Sequence, residues 1–430
     1  MSSLKRAIGL PTATALVVGT IVGSAIFVQA SELTSLVPNP TMVLLAWAVS
    51  GLITLIGALV CAELSSAYPQ TGGVYVFFRE IYSPALGFLW GWAMFWTMHS
   101  GILAAIAMVF ARYAGFFVTL DQTGSRVVAV SAILVLSAVN YVGVKSGGRL
   151  QTVITAAKVF AVFTIIILGW ALSGAVPAPV APEVSISAAN FLLAVGAGLF
   201  AFGGWHMVTY TAEETINPTQ TIPRSLLIGI VVVTICYMGM NAVYLRVLPI
   251  EKVISSSRVA ADVFEVLIGP GAAAVISAVV MFSAFGALNG IVMVGPRVYY
   301  QMAQDGLWFR FKGHLHPTHQ TPDRAIIVQA VWSSVLVMTG SYRALFTRVI
   351  YTEWIFFAML AFGVVLMRRR PGYTPGWRMP LVPLAPAFFI IVSLMIVVNQ
   401  IRVDVASAAT GLAIVATGIP AYYLWKRRPS

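Results

Sequence analysis

Charge is the scarcest thing in this sequence: only 9% of its 430 residues are charged, against roughly a quarter in an ordinary soluble domain. So few ionic groups exclude a water-soluble globule of this size. Cysteine is nearly missing as well. Cys61 and Cys236 are the whole complement, and both sit inside apolar runs, which excludes a disulfide-stapled secreted scaffold. No GxxxxGK[ST] phosphate loop occurs anywhere, so nothing in the chain points to ATP-driven work. The opening MSSLKR leads into an apolar run with no small-residue cleavage site after it, a pattern unlike a removable signal peptide.

What is present is apolar sequence. Hydrophobic residues make up 59% and the mean hydropathy is +0.89. Runs of roughly 17 to 25 apolar residues suffice to span a bilayer, and the sequence predicts about twelve. The first six lie near 8–35, 41–66, 84–117, 126–145, 150–173 and 187–212; the others lie near 225–248, 269–303, 325–340, 344–367, 380–400 and 405–425. They form one membrane domain. Pro38 and Pro40, Pro177 to Pro182 and Pro371 to Pro386 mark connections, because proline interrupts helices and favours turns.

The net charge of +12 raises nucleic acid as a partner, but its distribution argues for a membrane. Seventeen of the 26 Lys and Arg fall in the terminal and even-numbered connections, among them Lys5, Arg79, Arg149, Arg297 and Arg368; eight fall in the opposite set and Lys158 lies within a span. By the positive-inside rule both termini are cytoplasmic, in a multi-pass protein of the cell (inner) membrane.

Two spans are poor continuous helices. The first carries Gly19-Thr20-Ile21-Val22-Gly23-Ser24-Ala25-Ile26-Phe27 and the sixth carries Phe200-Ala201-Phe202-Gly203-Gly204-Trp205-His206. Glycine also serves helix packing in membranes. Two Gly-rich stretches five spans apart, each with polar or aromatic neighbours, point instead to unwound backbone. An unpaired peptide group in hydrocarbon costs several kcal/mol, so such backbone is tolerated only where it lines an enclosed cavity. The free N–H and C=O ends carry opposite partial charge and suit a zwitterion. Breaks at matching places in two chain halves mark a transporter site, here two five-helix repeats (about 8–173 and 187–367) with two extra helices (about 380–425).

Longer motifs carry a resemblance. GTIVGSAIF in span one, CAELSSAYPQTGGVYVFFREIY after span two, FAFGGWHMVTYTAEETINPTQTIPRSL through span six and FSAFGALNGIVMVGPRVYYQMAQDG in span eight resemble the L-type amino acid transporters of the amino acid–polyamine–organocation superfamily. The resemblance implies an all-α LeuT-type 5+5 inverted-repeat fold with discontinuous helices 1 and 6. It implies secondary, sodium-independent exchange of neutral L-amino acids as an antiporter, with no cofactor. It places the substrate carboxylate on amides around Gly23, Ser24 and Ala25, with the Ser24 hydroxyl assisting. The ammonium falls to the carbonyls of Ile21, Phe200, Ala201 and Gly203, and Phe200 or Phe202 would close as an aromatic gate. Where the family usually has glycine this chain has Ala25, whose methyl narrows the site and favours small substrates. Eukaryotic members join an ancillary glycoprotein through a cysteine after span three; residues 118–126 contain none, so no disulfide-linked subunit is expected.

Ionisable residues inside spans are costly and are functional candidates by default. Lys158 lies nine residues beyond Arg149, about 13 Å along a helix. It either snorkels or, as in the resembled family, puts its ammonium where sodium sits in sodium-coupled relatives, touching the Gly19 carbonyl and a hydroxyl such as Ser283. Glu353 in span ten either forms the far wall of the substrate pocket or pairs with Arg348. His206 follows the second break, and Glu63 is expected to pair with a basic loop residue. The HLHPTH run of His314, His316 and His319 has no cysteine or carboxylate cluster beside it, so no metal site is expected. Two readings remain beside exchange: proton-coupled symport of amino acids or amines and, outside transport, an amino acid sensor without flux. A membrane enzyme using His99 or His206 as base fails, because neither histidine has a nucleophile and orienting partner beside it.

Overall fold

A computed structural model describes residues 4–23, 25–175, 186–340 and 350–426. Apart from a single bridge between Ile8 and Thr215, the regular structure of the described residues is helical. In chain order the helices are α1 Leu10–Ile21, α2 Ala25–Leu36, α3 Pro40–Ala67, α4 Val74–Ile81, α5 Pro84–Ala93, α6 His99–Ala114, α7 Gln122–Val142, α8 Val144–Leu172, α9 Ala188–Ala201 and α10 Pro218–Val247. They continue as α11 Ile250–Ser255, α12 Val259–Ile268, α13 Ala272–Val294, α14 Pro296–Gln304, α15 Asp323–Thr339, α16 Ile350–Met367, α17 Leu384–Val403, α18 Val405–Ala416 and α19 Gly418–Lys426.

Nine described helical stretches are long and apolar enough to cross a membrane, and Leu10–Ile21 and Tyr351–Met367 are shorter apolar helices. The protein is therefore an all-α multi-pass membrane protein, with its first and sixth spans interrupted. Helix starts are set by local chemistry, and this moves several expected boundaries. Asp121 accepts the Gly124 N–H at 2.7 Å, so α7 begins at Gln122 rather than near 126. Pro218 opens α10, where its missing N–H costs nothing, seven residues before the expected start. Asn39 accepts the Thr41 and Met42 N–H groups and Pro40 follows it, which starts α3.

The broken first span is the axis of the packing. Its first half α1 lies against α8, α10 and α13, and its second half α2 lies against α9 and α11. α9 runs into a 3₁₀ segment, Trp205–Glu214, which packs on α1. At the face that carries the N-terminus, Glu214 accepts a bidentate pair from Arg297 (Nη2 to Oε1 2.9 Å, and Nε to Oε2). The Glu214 carbonyl also accepts the Ala7 and Ile8 N–H groups at 2.8 and 2.9 Å. At the same face Arg368 reaches Glu63 through Nε and Nη2 at 2.9 and 2.6 Å, the basic loop partner anticipated for Glu63. Arg368 is thereby tied to protein, rather than serving only topology or lipid contact.

Candidate functional site

α1 stops at Ile21 because Val22 leaves the helix at φ −73°, ψ 75°. The Gly23 N–H then folds back onto the Ile21 carbonyl at 2.7 Å, and α2 resumes at Ala25. A Cβ on Gly23 would stand 3.1 Å from the Ala287 Cβ, so α13 approaches the break closely. In span six, α9 ends at Ala201 and Gly204 takes the left-handed region at φ 99°, a conformation glycine adopts without steric cost. The Gly203 N–H bonds to the Phe200 carbonyl at 2.9 Å. Thr20 ties the two breaks together, its hydroxyl lying 3.3 Å from the Gly204 carbonyl.

The last carbonyls of α1 have lost their helical partners, and they carry the negative end of the helix dipole. A cation meets them. Lys158, 1% exposed, donates from Nζ to the Gly19 carbonyl at 2.8 Å and to the Val22 carbonyl at 2.6 Å. Ser283 on α13 donates to the carbonyls of Val22 and Gly23 at 3.2 and 3.1 Å. Gly19, Lys158 and Ser283 thus converge on one turn of backbone, with the Val22 carbonyl shared between the lysine and the serine. Beneath them Gln151 and Thr155 reach the Ala15 carbonyl, and Asn289 joins Gln151 to Asn140. This buried polar chain links α1, α7, α8 and α13.

Tyr237 on α10 is the principal residue that sequence reasoning did not single out. Its hydroxyl lies 3.0 Å from the Ile21 carbonyl and 2.8 Å from the Ala201 carbonyl, bridging both breaks. The hydroxyl has one proton, given to the nearer Ala201 carbonyl or shared between the two, and the Ile21 oxygen also accepts the Gly23 N–H. The Phe200 carbonyl accepts the Gly203 N–H. Three of the four expected ammonium acceptors are thus already engaged within the protein. Nothing in the sequence separates Tyr237 from any other aromatic of an apolar span, and only the fold brings it to the breaks.

The two expected gate aromatics lie in different settings. Phe202 is fully buried, its ring centroid 4.9 Å from Tyr237 and 6.4 Å from Trp47, while Phe200 is half-buried. Ser24 lies outside the described residues, as does Arg348, and of Ala25 the backbone alone is described. Glu353 on α16 comes to His206, with Oε1 3.5 Å from Nε2. The three loop histidines have protein partners: His314 bonds Asp323 at 2.9 Å, and His316 stacks on His319 at 4.4 Å. Among the described residues no three His, Cys, Asp or Glu side chains gather as metal ligands.

Comparison with known proteins agrees with this architecture. Residues 8–422 match the family model described as amino acid permease. Over 99% of the chain and 98% of the relative, the sequence is 32% identical to the serine/threonine exchanger SteT of Bacillus subtilis. It is 28% identical to human large neutral amino acids transporter small subunit 2, over 99% of the chain and 82% of that protein. Against the human b(0,+)-type amino acid transporter 1 the identity is 30%, over 85% of the chain and 77% of the relative.

Proposed function

The chain belongs to the amino acid permease family, and from that premise we propose that it exchanges small neutral L-amino acids by alternating access, independently of sodium. It is a transporter rather than an enzyme, as its relatives are. The observation that carries the sodium-independent reading is the Lys158 ammonium on the Gly19 and Val22 carbonyls. A cation held by a side chain already neutralises the dipole end that a free metal ion would otherwise occupy.

In this reading the substrate carboxylate takes backbone N–H groups from Gly23 to Ala25 at the start of α2, together with the Ser24 hydroxyl, where the dipole favours an anion. The ammonium takes carbonyls from Ile21, Phe200, Ala201 and Gly203. To admit it, the Tyr237 hydroxyl rotates off Ile21 and the Gly23 N–H turns from Ile21 toward the carboxylate. Phe200, the less buried of the two aromatics, is the gate, and Phe202 is packing behind it. Glu353 bounds the far side of the pocket through its contact with His206. The preference for small side chains draws support from Ala25 and from the serine/threonine exchanger among the relatives.

The protein sits in the cell membrane with both termini cytoplasmic, supported by the Lys and Arg bias. Its two repeats run over about 8–173 and 187–367. It works without a disulfide-linked subunit, since both cysteines, Cys61 and Cys236, are buried and free.

Counterflow in proteoliposomes tests the proposal. Labelled serine or alanine enters rapidly only when unlabelled amino acid is loaded inside, and replacing sodium with choline leaves the rate unchanged. Uptake into vesicles that hold no amino acid would identify a symporter, and binding without flux a sensor. Either result overturns exchange.

A further inference from the structure

His206 and Glu353 are the buried ionisable pair that the backbone chemistry of the breaks does not use. The His206 side chain is fully buried and that of Glu353 is 10% exposed. Among the described residues neither ring nitrogen of His206 nor Oε1 of Glu353 has a hydrogen-bond partner. Their separation of 3.5 Å is too long for a good hydrogen bond, whose nitrogen–oxygen distance centres near 2.9 Å. The imidazole is walled in by aromatic rings, with centroids at 4.9 Å for Phe357, 5.5 Å for Trp205, 5.6 Å for Tyr210 and 5.7 Å for Trp90.

Partnerless polar groups in an apolar cage are expensive, because a buried polar atom without a hydrogen bond pays its full desolvation. A buried carboxylate without a counter-charge is costlier still. One added proton cancels that charge and fixes a donor between Nε2 and the carboxyl, while Nδ1 stays without a partner among the described residues. Placed on Glu353 it gives an O–H donor to neutral imidazole; placed on His206 it gives an N–H donor to carboxylate. In either microstate the pair closes into a single hydrogen bond, and the proton belongs to the pair. Among the described residues no Lys or Arg forms an ion pair with Glu353, and Arg348 lies outside them. The other titratable groups near the pair are Tyr210, His99 and Tyr299. Tyr210 lies on the same 3₁₀ segment, His99 on α6 lies 5.5 Å from the Tyr210 ring, and Tyr299 on α14 holds the His99 Nδ1 at 3.3 Å.

We propose that His206 and Glu353 together form a binding site for one proton, taken from water in one conformation of the protein. His206 stands two residues beyond Gly204 and Glu353 stands on α16. The bound proton therefore fastens the 3₁₀ half of span six to span ten beside the substrate break. Its consequence for transport rests on the exchange reading, while the proton site itself does not.

Infrared pH-difference spectra of the purified full-length protein decide the site without any need for flux. With the proton on Glu353 a carboxylic-acid band titrates in the wild type, is absent in Glu353→Gln and is displaced in His206→Phe; with the proton on His206 an imidazolium band titrates, is absent in His206→Phe and is displaced in Glu353→Gln. A band that is the same in all three proteins, one lost in Glu353→Gln but unmoved in His206→Phe, or no titrating band at all overturns the proposal. Should Glu353→Gln fail to fold, His206→Phe decides alone: a displaced carboxylic-acid band supports the pair, and an unmoved carboxylic-acid band, or an imidazolium band lost with no change in the carboxylate bands, overturns it. In proteoliposomes the wild-type counterflow rate follows proton concentration with the slope of a single titration, and both substitutions flatten that slope. Wild-type protein that shows no counterflow at any pH refutes exchange, and the infrared result still stands or falls by itself.

Discussion

At the residue scale, the interrupted spans are governed by which group satisfies each exposed carbonyl. Lys158 satisfies two, and hydrogen bonds to a charged group contribute about 1.5–3 kcal/mol each. Lys158→Met leaves both oxygens without that donor, and counterflow is expected to fall by at least about tenfold, the equivalent of 1.4 kcal/mol. Tyr237→Phe removes the hydroxyl between the Ile21 and Ala201 carbonyls, at a cost of about 1–3 kcal/mol for the acceptors left behind. The ligand-free variant melts lower than wild type. A bound ammonium restores the missing donor, so saturating serine raises the melting temperature of Tyr237→Phe by more than that of the wild type. Equal shifts would place the ammonium elsewhere. The lysine was legible in the sequence because a charge within an apolar span is conspicuous. Tyr237 was not, because its role depends on a hydroxyl meeting two carbonyls that lie 216 and 36 residues away.

Among the elements, the two interrupted spans were legible from their glycines, and the physical reason differs between them. Gly23 is needed where α13 comes close. Gly204 is needed for backbone geometry, since its φ of 99° costs a residue with a Cβ about 1–2 kcal/mol. Added there, a Cβ would also stand 3.3 Å from the Cβ of Thr20. Gly204→Ala is therefore expected to reach the membrane with near wild-type helical content by circular dichroism and to lose counterflow; retained flux would show that the left-handed turn is dispensable. The boundaries of α7 and α10 were misplaced by the apolar pattern alone, because caps and prolines extend helices into polar sequence that hydropathy treats as loop. The 3₁₀ form of Trp205–Glu214 was likewise hidden, since its spacing of apolar residues resembles that of an ordinary helix end.

For the whole molecule, hydropathy locates nine of the described spans and the shorter apolar helices Leu10–Ile21 and Tyr351–Met367. The helix α15, at the expected ninth span, is not among them, and the contacts that close the N-terminal face do not follow from hydropathy. Arg297 reads in the sequence as one more basic residue that orients the protein, yet it is 2% exposed and paired with Glu214. Removing one partner of a buried ion pair costs about 3–5 kcal/mol, while replacing both by apolar residues is often neutral. Glu214→Gln is therefore expected to lower the melting temperature in detergent more than the double variant Glu214→Leu with Arg297→Met does. A double variant as unstable as the single one would show that the pair contributes net stability. The same variants should differ in labelling of a cysteine placed at Ile8, whose backbone hydrogen bonds to Glu214 and Ile216 close this face.

The tether of Lys158 has a thermodynamic corollary. A positive charge bound covalently to the carrier returns with it on every turnover, so if it stands in for sodium as proposed, no work can be drawn from a sodium gradient. Whatever solute is concentrated on one side must then be driven by another solute moving down its own gradient.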